Sequence, residues 1–152
     1  DAALRKDLFP VGRLDLDTEG LLLITNDGAL SHALLSPKKH VKKTYLAYLD
    51  APADPADIRL FAEGIDIGEK RPTKPAELVI DQNDPTHVYI TISEGMYHQV
   101  KRMVHACGKE VLYLKRLSMG EFSLEDTLDK GAYRTLTEKE MNYVREYKGS
   151  TL

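Results

Sequence analysis

Apolar and polar positions along the chain fall into blocks of two periods, and the blocks divide it into elements. Gly20-Leu-Leu-Leu-Ile24 is a continuous apolar run that reads as a buried strand, Asn26-Asp27-Gly28 as a turn, and ALSHALL as a short helix ended by Ser36 and Pro37. KTYLAYL, AELVI, HVYITIS and EVLYLKRL are β-branched or aromatic runs of strand length. Between the first two lies APADPAD, a Pro-rich loop opening onto PADIRLFAEG, a helix with apolar Ile58, Leu60 and Phe61 and a closing Gly64. In EGMYHQVKRMVHACG, a period of about 100° per residue puts Val100, Met103, Val104 and Cys107 on one face and His98, Arg102 and His105 on the other. Lys101 falls at the border, where its stem lies on the core while its ammonium reaches a neighbouring acid. Thr137-x-x-Glu140 is a capping box that starts a last helix through about Tyr147. Strands separated sometimes by helices and sometimes by turns, without regular βαβ alternation, predict an α+β domain: a mainly antiparallel or mixed sheet flanked by helices.

A chain of 152 residues, 42% of them hydrophobic, suffices for a single domain spanning residues 1–152. Its one cysteine, Cys107, has no partner for an internal disulfide, and no run approaches the roughly 20 apolar residues of a membrane span, so a reducing cytoplasm is the expected compartment. The net charge of −3 opposes nucleic-acid binding only if charge is spread evenly. It is not. Lys38, Lys39, His40, Lys42 and Lys43 form one basic stretch and Lys101, Arg102, His105, Lys109, Lys115 and Arg116 a second, while acids gather in 50–69 and 121–129.

Candidate chemistry centres on GRLDLDTEG. Asp15 and Asp17 fit an Asx-type turn, but Arg13 beside them and the apolar run behind them supply the positive charge and rigid platform that a functional carboxylate needs. D-L-D-T also fits the D-x-D-x-T of dehalogenase-type Mg²⁺-dependent phosphatases, with Glu125 and Asp126 as distal acids. That alternative requires an apolar strand before the motif and a doubly wound parallel sheet, whereas FPVGRL holds Pro10, Gly12 and Arg13 and the βα alternation is missing. Zinc is disfavoured, because His98 and His105 stand two helical turns apart, roughly 10 Å, and Cys107 faces away. Tyr45, following Lys42, Lys43 and Thr44, is an aromatic ring amid cations and suits stacking on a base.

Three segments in order, GRLDLDTEGLLLITNDG, KKTYLAYL and EGMYHQVKRMVHACGKEVLYLKRLSMG, resemble the pseudouridine synthases. The GRLD form, the HQVKRM form and the PKKHVKKTY link look most like the small-subunit ribosomal RNA branch, which modifies one uridine of 16S rRNA, uridine-516. The resemblance implies the fold of that catalytic domain and isomerisation of uridine to pseudouridine with no metal or other cofactor. It implies Asp15 as the nucleophile, Tyr45 as the tyrosine that stacks on the base, and Lys101 as the cation paired with Asp15. Val100 matches the apolar position at the uracil pocket, and Arg13 the residue that helps hold the flipped nucleotide. His98, Arg102, Lys38, Lys39 and Lys42 are the accompanying candidates for contact with RNA. Ribosomal RNA is the expected partner, with no membrane involved and the protein a monomer. Members of this branch usually carry an N-terminal domain of the S4 type and a Lys-Pro-x-Gly strand before GRLD, so the opening Asp1 to Lys6 is expected to be the start of a truncated catalytic domain. A non-catalytic RNA-binding module is the other alternative, opposed by the intact Asp15, Tyr45 and Lys101.

Overall fold

The structure, a computed structural model, describes residues 6–151, so Asp1 to Arg5 of the opening segment lie outside the described residues. The chain runs β1 (Phe9–Pro10), β2 (Thr18–Gly20), β3 (Ile24–Thr25), α1 (Gly28–Leu35), a 3₁₀ turn (Pro37–Lys39), β4 (Lys43–Leu49), α2 (Pro55–Glu63), β5 (Glu77–Ile80), β6 (His87–Ile92), α3 (Gln99–Ala106), β7 (Val111–Met119), β8 (Phe122–Ser123) and α4 (Glu138–Thr151). Six strands form one sheet in the order β2-β7-β4-β6-β5, with β8 paired to β7, while β1 and β3 make a separate two-stranded ribbon. Among the described residues the β2–β7 pairing is parallel and the other pairings in the sheet are antiparallel. The mixed α+β architecture expected from the sequence is therefore present.

Strand parity explains the core. Ala47 and Leu49 of β4, Leu78 of β5, Val88, Ile90 and Ile92 of β6 and Leu114 of β7 point to one face, where they meet Phe61 of α2 and Val100, Met103 and Val104 of α3. The opposite face is more polar: Thr44 and Thr91 share a hydrogen bond, and Tyr48 stacks on His87 with ring centroids 3.8 Å apart. A second cluster of Val11, Leu30, Leu34, Val41, Met119 and Phe122 joins α1, α4 and the end of β7.

The helices begin where their side chains dictate. Asp27 accepts from the Leu30 amide at the start of α1, Asp54 and Asp57 form a reciprocal box at α2, and Thr137 and Glu140 do so at α4. In α2 the expected apolar trio separates, since Phe61 is buried while Ile58 and Leu60 are exposed. The buried position beside Phe61 belongs to Asp57, which is neutralised by Lys109 at 2.8 Å.

The apolar run Leu21 to Ile24 is not the buried strand its composition suggests. Leu22 is 38% and Ile24 53% exposed, and only Leu21 and Leu23 pack on the second cluster. The run is divided between two partners: Leu21 donates its amide to the Arg116 carbonyl, whereas Val11 donates to the Leu23 carbonyl in the ribbon. Alternation, rather than continuous burial, is the result. Pro10, poor material for a central strand, sits in that short ribbon opposite Ile24.

One glycine governs how closely β2 approaches β7. Gly20 has φ of +115°, and a Cβ there would lie 2.2 Å from the Arg116 carbonyl oxygen. Gly20→Ala is expected to destabilise the fold by at least about 2 kcal/mol, because strained backbone and overlap act together. A urea-unfolding midpoint equal to the parent's would contradict that close approach.

Candidate active site

Between the β2 end of the sheet and the N-terminus of α3 lies a cleft of about 600 Å³. Its walls include Arg13, Asp15 and Thr18 from the turn leading into β2, Tyr45 from β4, Leu114 and Arg116 from β7, and Glu94, His98, Val100 and Lys101 around the start of α3. Asp15 enters from a tight turn in which the Thr18 amide donates to the Asp15 carbonyl at 2.9 Å. Since Thr18 then pairs with Leu114, the turn is anchored on the central strand β7.

Two side-chain nitrogens face the Asp15 carboxylate. Lys101 Nζ lies 3.5 Å from its Oδ2, and His98 Nε2 lies 3.5 Å from its Oδ1. The same Lys101 ammonium donates to Asp17 Oδ1 at 2.5 Å. Lys101 is thus shared by both aspartates, with its closer contact to Asp17 rather than Asp15. Burial works against the charge of Lys101, yet the hydrogen bond to Asp17 and the two carboxylate charges raise its pKa above the ordinary value. The hydrogen bond from Lys101 in turn lowers the pKa of Asp17 below its ordinary 3.8.

His98 reaches the cleft through an uncommon backbone. It has φ of +48°, a left-handed conformation in a non-glycine residue, and its ring stacks on Tyr97 at 3.9 Å. The surrounding loop is held by Gln99, which donates to Glu94 at 3.0 Å and accepts from the Met96 amide at 3.0 Å. Arg102 stands outside the cleft, donating to Glu69 and to the carbonyls of Tyr97 and Ile67, so it braces the loop from behind. His105 is likewise away from the cleft, paired with Glu110.

Tyr45 stands opposite Arg116 across the β4–β7 ladder and packs against the main core. Burial pushes its hydroxyl up, opposed by the charge and hydrogen bonding of Arg116. Val100 is buried in the same wall. Lys38, Lys39 and Lys42 are exposed on the segment joining the cleft residues Pro37 and Val41 to β4. Two members of the basic stretches depart from a solvated surface: Lys43 is 9% and Arg116 3% exposed, and both line the cleft. Sequence reading left Lys43, Glu94, Leu114 and Arg116 out of the site. Parity was the available signal, since Lys43 shares the inward register of Tyr45, Ala47 and Leu49.

The family model described as RNA pseudouridylate synthase matches residues 2–106, a span that contains Asp15, Tyr45 and Lys101. The chain belongs to the RNA pseudouridylate synthase family. It is 53% identical over 145 residues to an uncharacterized RNA pseudouridine synthase of Bacillus subtilis, covering 94% of this chain and 61% of that protein. It is 49% identical over 142 residues to the ribosomal small subunit pseudouridine synthase A of Haemophilus influenzae, covering 93% of this chain and 60% of that protein. A solved pseudouridylate synthase superposes with a TM-score of 0.89 at 48% identity, covering 95% of this chain and 62% of the other. The chain therefore spans about three fifths of the length of these synthases. The phosphatase alternative finds no support in this fold: the sheet is not doubly wound, and Glu125 pairs with Arg134 at 3.0 Å instead of lining the cleft.

The sharing of Lys101 between two carboxylates has a titration consequence. A depressed carboxylate pKa means the Asp17–Lys101 contact is present above the ordinary value and lost as the pH falls through the folded one. In Lys101→Met, NMR titration is expected to return Asp17 upward to about its ordinary 3.8. An unmoved Asp17 would show that Lys101 does not hold it.

Proposed function

We propose that the chain is the catalytic domain of a synthase that isomerises one uridine of small-subunit ribosomal RNA to pseudouridine, the target being uridine-516 of 16S rRNA. The observation that carries this reading is the placement of Asp15 between Lys101 and His98, in one cleft with Tyr45. The identity to relatives named ribosomal small subunit pseudouridine synthase A supports the choice of RNA. The protein acts in the cytoplasm as a monomer. The reducing compartment suits its single cysteine, and no helix among the described residues is long and apolar enough to cross a membrane.

The reaction detaches uracil from its ribose and reattaches it through carbon, within one pocket and without a redox change. A carboxylate nucleophile suffices, and no cofactor is needed. Asp15 fills that role. Lys101, with its ammonium 3.5 Å from Oδ2, sets a positive charge beside the carboxylate and holds it in the cleft. His98, on the other carboxylate oxygen, fixes the carboxylate's orientation. The uridine must leave its stack at a cost of a few kcal/mol, which stacking on Tyr45 offsets in part. Val100 supplies an apolar wall for the ring, and Arg13, exposed at the mouth, holds the flipped nucleotide or its phosphate. Arg102 contributes through the Tyr97 loop that it braces.

Asp15→Asn preserves size but removes the nucleophile, so tritium release from 16S rRNA labelled at uridine C5 is expected to fall to background while RNA still binds. Asp17→Asn is expected to be milder, because Lys101 keeps Asp15 as a partner. Lys101→Met, which leaves Asp15 facing His98 alone, is expected to be severe. The parent should retain its activity in EDTA. Full activity of Asp15→Asn, or strict metal dependence of the parent, would overturn the reading. All of these assays use the full-length protein.

Lys38, Lys39 and Lys42 contribute backbone attraction. Each single-strand phosphate contact adds about 0.7 to the slope of log K against log salt. Replacing the three by Ala is expected to flatten that slope and weaken binding. An unchanged slope and affinity would make this stretch an ordinary solvated surface.

A further inference from the structure

The floor of the cleft holds two buried basic side chains that make no ion pair among the described residues. Lys43 and Arg116 both line it, and both are more than nine-tenths buried. Arg116 donates through Nε to the Leu21 carbonyl at 2.9 Å, but its buried Nη2 has no hydrogen-bond partner among the described residues. The buried Oγ1 of Thr18, another cleft residue, has none either. No carboxylate oxygen of the described residues lies within ion-pair distance of the Lys43 ammonium, which sits against Gly95, where a Cβ would be 3.8 Å from Nζ. Glu94, the adjacent acid, is already occupied by Arg71 at 2.8 Å, the Lys74 amide at 2.6 Å and Gln99 at 3.0 Å.

Two buried cations beside an occupied carboxylate are costly to the fold alone. Burial together with the charge of Arg116 lowers the Lys43 pKa, and Glu94 offsets only part of that. Such an arrangement suits an anion that arrives during the reaction. Backbone phosphates are poor candidates, because the exposed Lys38, Lys39 and Lys42 serve them at the surface. The ring resting on Tyr45 is better placed: Arg116 stands directly opposite Tyr45, and Lys43 lies two residues before it on the same side of β4.

We propose that Lys43 and Arg116 form an oxyanion-stabilising floor for the carbonyl edge of the uracil ring, an inference that rests on the synthase reading of the cleft. The isomerisation places negative charge on those carbonyls by either route of attack. If Asp15 attacks the anomeric carbon, an ester bond forms there and the C1′–N1 bond breaks. Its electron pair stays with the base, spread over N1, O2 and O4. If Asp15 attacks C6 instead, the C5–C6 pair moves to O4 as an enolate before the glycosidic bond breaks. In both, the base then forms the C5–C1′ bond, the carboxylate is released, C5 gives up its proton and N1 gains one. Preorganised cations at the carbonyl oxygens stabilise the charged stage more than the neutral uridine, which is the differential that accelerates a reaction.

The test uses the full-length protein in excess over in vitro transcribed 16S rRNA labelled with tritium at uridine C5. Lys43→Met is expected to lower the single-turnover rate by about 10²–10³-fold, as for loss of one donor to a developing oxyanion. RNA affinity by filter binding and its salt slope should stay at the parental values. The urea midpoint should not fall, since an unpaired buried cation has been removed, and Lys43→Arg should recover part of the rate. A parental rate in Lys43→Met would overturn the proposal. So would a loss of rate that follows a weakened affinity and flatter salt slope, which marks a phosphate contact. A lowered urea midpoint with no recovery in Lys43→Arg would mark a purely structural lysine and overturn it equally. Parental release with an active Asp15→Asn would instead sink the synthase reading and this inference with it.

Discussion

The close approach of β2 to β7 at Gly20 is the constraint on which the cleft depends. Among the described residues β7 is the only strand that pairs with both β2 and β4, so it fixes Asp15 on one side and Tyr45 on the other. Thr18 and Gly20 pair with Leu114 and Arg116, and the Arg116 side chain returns to the Leu21 carbonyl, so backbone and side chain lock the same junction. The parallel pairing of so short a strand is supported by these added contacts and by packing of Leu21 and Leu23 on the second cluster. Displacement of β2 by a side chain at position 20 would move Asp15 relative to the Tyr45 ring across the cleft.

Charge in this protein is divided by depth. Lys38, Lys39 and Lys42 remain in water, where attraction to phosphate is long-ranged and screened by salt. Lys109 and Arg102 are paired with acids of the chain, buried Asp57 and exposed Glu69, and Lys43 and Arg116 are withdrawn into the cleft. A net charge of −3 therefore coexists with two buried basic side chains lining the cleft. Some of the acids that set the net value cap helices, as Asp54, Asp57 and Glu140 do.

The start of α3 concentrates the local work. His98 takes a left-handed backbone, Gln99 turns back to hold Glu94 and Met96, and Lys101 leaves the helix border to meet both aspartates. Backbone strain at a site is maintained when surrounding bonds over-determine it, and here Gln99 and Arg102 supply them. Lys101, placed between two carboxylates, is restrained at the cleft more firmly than by either alone.

By itself the sequence determined the elements with strong periodicity: KTYLAYL is β4, HVYITIS contains β6, and the amphipathic pattern around Lys101 is α3. It also pointed to Asp15, Tyr45 and Lys101, residues of three motifs in fixed order that the structure brings into one cleft. Local patterns suffice there, since period and capping act between near neighbours. The tertiary structure alone decided that Leu21 to Ile24 is split between two partners, that Asp17 is the nearer contact of Lys101, and that Lys43 and Arg116 are buried. Each of these rests on contacts between residues far apart in the chain, such as Gly20 with Arg116 and Asp17 with Lys101. A charged side chain reads the same in sequence whether it meets solvent or a cleft; only the strand register that faces it inward makes the difference.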